Sequence, residues 1–289
     1  MLHRLLRRLG IAPRARAGVP ASARAARMRR EGYCYLGGHR ALALTHRGQK
    51  IFLDTRDIGL TPHIAMHGIW ELEVEMVLER LLRPGQTVAE VGSNMGYHTL
   101  AMAAMLGPAG HLHAFEASPD VLPLLRATLM VNGLLQRVTV HPKAAHDHSG
   151  TLEFSRDPEH IGSGHWSLPA ESANYSRRST VPCVTLDAAL GDSVPELHLL
   201  RMDAEGSEPQ VLRGAEALIR RSPELRIVSE WSPPMMARRA DLRRLTGWLD
   251  GLGFRFWRIG AEARLEPVPA EALPGLPHCD LVMARSLPD

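Results

Sequence analysis

The chain has 289 residues, 45% hydrophobic and 22% charged, a balance that suits a globular protein and excludes a disordered or fibrous one. No apolar run approaches the ~18 residues of a membrane span. Three scattered cysteines (Cys34, Cys183, Cys279) offer neither a metal spacing nor a disulfide framework, so a reducing, cytoplasmic setting is expected.

The formal charge of +3 comes from the N-terminal arm: residues 1–30 hold nine arginines and no acid, leaving the rest mildly acidic. Leu2, Leu5, Leu6 and Leu9 recur at helical spacing, with Arg4, Arg7 and Arg8 off that face. Such a helix suits peripheral contact with an anionic membrane surface or nucleic acid, or docking on its own domain. Charge interrupts its apolar segment, so it is not a secretory signal. Residues 13–30 read as a flexible joint. The expected division is a basic arm at 1–30, a small β extension at 31–70 and one α/β domain at 71–289.

Within the extension, Tyr33-Cys34-Tyr35-Leu36 and Lys50-Ile51-Phe52-Leu53 are strand-like, with glycine turns between them. A helix is expected from Glu71 to Leu82. Strands and helices then alternate: strand 87–92, helix 97–106, strand 111–116, helix 119–131 and strand 137–141. Ser118-Pro119-Asp120 supply a cap, a first-position proline and a first-turn acid, and Asn132-Gly133 ends that helix. Residues 142–192 are less regular and include the polar loop 161–167. Alternation resumes with strand 197–202, helix 208–221, strand 225–231 and helix 235–252. Phe254–Trp257 and Leu281–Met283 can pair antiparallel at the end. This alternation implies a mostly parallel sheet covered by helices on both faces.

The most informative stretch is Val88 to Leu100, a buried strand, a glycine turn and the start of a helix. Gly92 and Gly96 let backbone approach a ligand closely. A dinucleotide-binding turn would have a third glycine where Asn94 stands, and Glu90 would repel its pyrophosphate. An acid there suits instead a phosphate-free ligand carrying ammonium and sulfonium charges, such as S-adenosylmethionine. The next strand ends in Glu116, 20 residues after Gly96 and placed to accept hydrogen bonds from both ribose hydroxyls.

With these stretches placed, the chain resembles the FkbM-type S-adenosylmethionine-dependent methyltransferases. Val88 to Thr99 is similar to that family's V-x-D-V-G-A-N-x-G-x-x-T, with Glu90 for Asp and Ser93 for Ala. Phe115-Glu116-x-x-Pro119 is a second match. Leu200-Arg201-Met202-Asp203-Ala204-Glu205-Gly206-Ser207-Glu208, followed by Val211-Leu212-Arg213-Gly214-Ala215, is the third and most specific, with Arg201 for Lys. Weaker echoes are Gly68-x-Trp70-Glu71 and Val184-Thr185-Leu186-Asp187.

The resemblance implies a Rossmann-like, seven-stranded sheet of order 3-2-1-4-5-7-6, its last strand antiparallel. It also implies O-methylation of a hydroxyl, on a sugar, glycoconjugate or glycosylated or polyketide natural product. The expected cofactor contacts are Glu90, Gly92, Ser93, Asn94, Gly96, Glu116, Ala117, Ala145, Asp203 and Glu71. Asp203, at the end of the fourth strand, is the expected base or substrate-positioning group. Glu205, Glu230 and His165 are further catalytic candidates, whereas Glu208 also reads as a first-turn helix acid. Asp203, Glu205 and Glu230 are ligands compatible with a divalent ion such as Mg²⁺ or Mn²⁺, although no spacing demands one. His146 and His148 read as surface groups. A nucleic-acid methyltransferase is the nearest rival, but the acidic body and the Asp203-Ala204-Glu205-Gly206 turn speak against it. A non-catalytic cofactor-binding or scaffold subunit is the other alternative.

Overall fold

The computed structural model describes residues 32–156, 164–166 and 177–287; the basic arm and most of the loop at 161–167 lie outside the described residues. From Tyr33 onward the chain is one compact unit. Strands β1 (Tyr33–Gly37), β2 (Arg40–Leu44) and β3 (Lys50–Asp54) form an antiparallel meander. Side chains alternate along β2 and β3, so Ala41, Ala43, Ile51 and Leu53 turn inward. They share a core with Val77 and Leu78, and with Leu125 and Leu129. Two bonds fasten the meander there: Phe52 N–H donates to Thr128 Oγ1 (3.0 Å) and Lys50 N–H to Asn132 Oδ1 (3.0 Å). The sequence reading missed β2 because alternating alanines carry little strand preference. Helices α1 (Leu60–His67) and α2 (Leu72–Leu81) follow.

The chain then runs through β4 (Thr87–Val91), α3 (Tyr97–Leu106), β5 (His111–Phe115), α4 (Leu122–Val131) and β6 (Val138–His141). Helix α4 starts three residues later than expected. The Ser118 carbonyl accepts N–H bonds from both Val121 and Leu122, so Pro119 and Asp120 sit in a turn before the helix. Next come β7 (Ala144–Ala145), β8 (Gly150–Arg156), β9 (His165–Trp166) and β10 (Arg177–Val184), a second sheet of order β7-β10-β8-β9. Where it is described, the irregular section is thus largely β-structure. Its Leu152, Phe154, Val181 and Cys183 form a small apolar cluster of their own, against Ala117 and Ala144.

After α5 (Leu186–Leu190) come β11 (Leu199–Met202), α6 (Glu208–Arg213), α7 (Glu216–Arg221), β12 (Arg226–Trp231), α8 (Pro233–Met236) and α9 (Leu242–Gly251). Both expected long helices are therefore divided. The first breaks at Gly214, which passes so close to the His146 carbonyl that a Cβ there would lie 2.0 Å from its oxygen. The second breaks before Asp241, whose side chain caps α9 by accepting the Arg244 N–H at 3.1 Å.

Strands β13 (Arg255–Ile259), β14 (Leu265–Val268) and β15 (Cys279–Ala284) complete the central sheet, ordered β14-β13-β15-β12-β11-β4-β5-β6. Among the described residues it has eight strands, one more than the expected seven. The extra β14 carries Pro267, which the edge of a sheet tolerates and which hid the strand in the sequence. Strands β12, β11, β4, β5 and β6 are mutually parallel, and β15 runs antiparallel between β12 and β13. Successive residues feed opposite faces: Val88, Leu199 and Val228 enter one apolar core, and Ala89, Leu200 and Ile227 the other. Covering both faces is what lets β4 and β11 be buried almost throughout.

Candidate active site

The turn after β4 is fixed by backbone geometry. Gly92 has φ +79°, and a Cβ there would lie 1.9 Å from the Asp203 carbonyl oxygen. No other residue allows the ends of β4 and β11 to approach this closely. Gly92 and Ser93 N–H groups donate to the Phe115 carbonyl (3.0 and 3.2 Å), locking the turn to the end of β5. Asn94 adopts φ +49° and donates its N–H to Glu116 Oε2 at 2.8 Å, while Ser118 N–H donates to Oε1 at 2.7 Å. Burial raises the Glu116 carboxyl to about 7, although these two N–H groups favour its charged form.

Around this turn opens a concave cleft, the kind of surface that small-molecule sites occupy. Of the expected cofactor set, Gly92, Asn94, Glu116, Ala117, Ala145 and Asp203 line it. Glu90, Ser93 and Gly96 do not. Glu90 lies wholly beneath the turn, accepting the Thr99 hydroxyl at 2.5 Å with Arg201 Nη1 3.7 Å away. Its burial there raises its pKa. Ser93 is spent on the turn, and Gly96 packs where a Cβ would meet Leu125 at 2.9 Å. Leu152 and Phe154 also line the cleft, a contribution of the second sheet that local motifs do not reveal, together with Lys143 just before it.

A second, wider cleft shares Asn94 and Asp203 with the first and is walled by His63, Trp70, Glu71, Glu205, Glu230 and His278. Glu71, one of the expected cofactor contacts, lines this second cleft. Between the clefts lies the buried Arg201, with Nη2 3.0 Å from Asp203 Oδ2 and 3.4 Å from Glu71 Oε2. Its Nη1 also donates to the Gly92 carbonyl at 3.2 Å. Withdrawal from water opposes its charge, but Asp203, Glu71 and Glu90 together raise its pKa. Glu71 also accepts or shares a proton with His98 Nε2 at 3.0 Å. Burial alone would raise Glu71, yet His98 and then Arg201 hold it at about 2. Arg201 and His98 were not among the candidates; the only signal was that Arg201 departs from the family's lysine.

The remaining acids are pushed the other way. Burial first, then the charges of Asp203, Glu208 and Glu71, raise Glu205 to about 8. Burial first, then the charges of Asp203, Glu208, Glu205 and Asp280, raise Glu230 to about 10. Asp203 is also raised, by burial and by Glu71 against the opposing pull of Arg201. Glu208 lies in the first turn of α6 as expected, and its Oε1 bends back to accept the Ala204 N–H at 2.8 Å. Asp203, Glu205 and Glu230 do not bring three ligand atoms together as one metal ion requires. Among the described residues only His146, Asp147 and His148 do so. The Asp203 carboxylate is instead turned to Arg201. His165 lies in β9, paired with Ser155 across from β8, and its side chain lies outside the described residues.

A sequence model of the FkbM methyltransferase domain matches residues 90–256. A protein-L-isoaspartate O-methyltransferase of Methanothrix thermoacetophila is 42% identical over 48 residues, 17% of this chain and 23% of that protein. A tRNA wybutosine-synthesizing protein 2 homolog of Danio rerio is 39% identical over 57 residues, 20% of this chain and 14% of its own. The chain thus spans under a third of the length of the curated relatives it matches. Among solved structures, an FkbM methyltransferase of Methylobacillus flagellatus KT superposes with TM-score 0.46 at 17% identity, over 70% of this chain and 45% of that one. An O-methyltransferase of Bacillus cereus in complex with SAH does so with TM-score 0.44 at 14% identity, over 78% of this chain and 84% of its own.

Proposed function

The chain belongs to the FkbM methyltransferase family, and from that premise we propose that it transfers a methyl group from S-adenosylmethionine to a hydroxyl oxygen. The acceptor class is a sugar, a glycoconjugate, or a glycosylated or polyketide natural product. The observation that carries this reading is the junction of two clefts at Asn94 and Asp203. One is lined by the glycine turn and the Glu116 carboxylate, a fit for an adenosine ribose flanked by the apolar Leu152 and Phe154. The other combines acids with the Trp70 ring, which suits a polyhydroxylated acceptor.

When bound, S-adenosylmethionine supplies an activated methyl carbon on a sulfonium. The chain's own residues have two tasks: to align the acceptor hydroxyl with that carbon and to take the proton it loses. Asp203 stands where the clefts meet. Arg201 engages its Oδ2, and among the described residues no hydrogen bond engages Oδ1. That oxygen is free to orient the hydroxyl. Glu205, raised to about 8, is matched in basicity to a proton acceptor near neutral pH once ionised. Glu230, at about 10, holds its proton there and would serve as a donor to an acceptor oxygen. His165 remains a proposed contributor from β9. The arginine arm is read as a peripheral contact with an anionic membrane surface; among the described residues no helix is long and apolar enough to cross a membrane.

Labelled S-adenosylmethionine with a panel of hydroxylated acceptors tests the reaction. We expect Asp203→Asn to bind S-adenosylhomocysteine like the wild type while kcat falls by roughly 10². Turnover within a few-fold of wild type would remove Asp203 from the reaction, and no heat of cofactor binding in the wild type would favour a scaffold role instead.

A further inference from the structure

We infer that His146, Asp147 and His148 form a site for one divalent transition-metal ion of the Zn²⁺ type, beside the cofactor cleft. The three donor atoms make a nearly equilateral triangle. His146 Nδ1 is 2.8 Å from Asp147 Oδ1, His148 Nδ1 is 2.9 Å from the same oxygen, and the two nitrogens are 3.1 Å apart. Hydrogen bonding alone does not account for this figure. Each imidazole carries at most one proton on Nδ1 and the ionised carboxylate none, so at most two protons serve three short edges. One edge is then left repulsive, and two N–H groups would converge on one oxygen at a narrow angle.

A cation removes that conflict, because all three atoms then offer lone pairs to a common centre. Ligands held by zinc at about 2.0–2.2 Å in a tetrahedron stand about 3.3–3.6 Å apart, so the triangle need open by only a few tenths of an ångström to take the ion. Two imidazoles and a carboxylate are a donor set suited to zinc and neighbouring metals rather than to Mg²⁺ or Ca²⁺.

The site is also built rigidly. His146 is buried, its N–H donates to the Val184 carbonyl at 2.9 Å, and its own carbonyl abuts Gly214. The His148 ring meets it edge-on, centroids 4.8 Å apart. Asp147 and His148 are partly exposed, leaving room for water to complete the coordination. Since His146 also lines the cofactor cleft, the ion would fasten the segment between β7 and β8 against the end of α6. This role is structural and independent of the methyl-transfer reading.

The test uses tag-free, full-length protein stripped with chelator, then titrated with Zn²⁺ by calorimetry and with Co²⁺ by visible absorption. We expect one equivalent with a tetrahedral Co²⁺ spectrum and a higher melting temperature in Zn²⁺. His148→Ala and Asp147→Asn should each weaken Zn²⁺ by ~100-fold or more, beyond the loss of an outer-shell partner. Because both side chains lie partly in solvent, the variants should keep their fold, checked by circular dichroism. Absence of a stoichiometric equivalent in the wild type would overturn the site. So would an equivalent of unchanged affinity in both variants, which places the ion elsewhere.

Discussion

The two clefts that meet at Asp203 are built in opposite ways. The first is made by neighbours in sequence: a strand, a glycine turn and a second strand end, closed by backbone hydrogen bonds to Phe115 and Glu116. The second is made by convergence: Glu71, Glu230 and the Asp203–Glu205 turn come from three separate segments to wall it, and the buried Arg201 guanidinium holds Glu71, Glu90 and Asp203 around itself. A backbone-made site tolerates side-chain change but not a Cβ in the wrong place. A charge-made site tolerates local shifts but not loss of its central cation. Each cleft therefore has its own way of failing.

The largest expected effect falls on the first. Gly92→Ala would force a methyl group into the Asp203 carbonyl at positive φ. Strain and overpacking together should cost about 2–6 kcal/mol, with the 1.9 Å clash placing it toward the upper end, read from chemical denaturation. A loss under about 1 kcal/mol would mean that the contact between β4 and β11 relaxes easily, and the contrast would be lost.

Next comes the centre of the second cleft. Arg201→Met leaves Glu71, Glu90 and Asp203 with an uncompensated buried charge, at a cost of about 3–5 kcal/mol. Arg201→Lys should recover much of this, since it restores a cation although not the two-pronged geometry. Equal stability of Arg201→Met and wild type would show the cluster to be neutral in the folded state.

Glu116→Ala probes the first cleft through binding. It removes the acceptors proposed for the ribose and strands the Asn94 and Ser118 N–H groups. S-adenosylhomocysteine affinity should fall by ~30- to 100-fold, about 2–3 kcal/mol. Calorimetry that finds unchanged affinity would sink the ribose assignment.

The smallest effect is a pH slope. Glu205, Glu208, Glu230 and Asp280 keep protons in the folded state that the unfolded chain releases near its ordinary carboxyl pKa. The folded state thus binds more protons across that interval, and stability falls as pH rises through it, from the ordinary range to about 10. Glu71 acts oppositely: its depressed value gives stability present above the ordinary pKa and lost as pH falls through about 2. Glu230→Gln should therefore flatten the decline in melting temperature between ~pH 5 and ~pH 9. An unchanged slope would show that Glu230 is already ionised at neutral pH.

How much of this was legible in the sequence follows the same division. The alternating elements, the turn at Gly92 and the acid at Glu116 were readable because periodicity, glycine spacing and strand ends are carried by contiguous residues. The breaks at Gly214 and before Asp241 were not. The first answers to a carbonyl from residue 146, and the second to a short cap inside a continuous apolar pattern. The strand β14 was hidden by its own proline, and β2 by its alanines.

By itself, then, the sequence determined a mostly parallel α/β sheet with a glycine turn at its strand ends, because hydrophobic period and backbone conformation are local properties. Only the tertiary structure decided that Glu90 lies buried under the turn, bonded to Thr99. It alone placed Glu71 opposite Asp203 across Arg201, and folded the second sheet over the cleft. Those outcomes depend on which distant groups share one low-dielectric volume. Coulomb energy and desolvation are set by distances through space, which no spacing along the chain encodes.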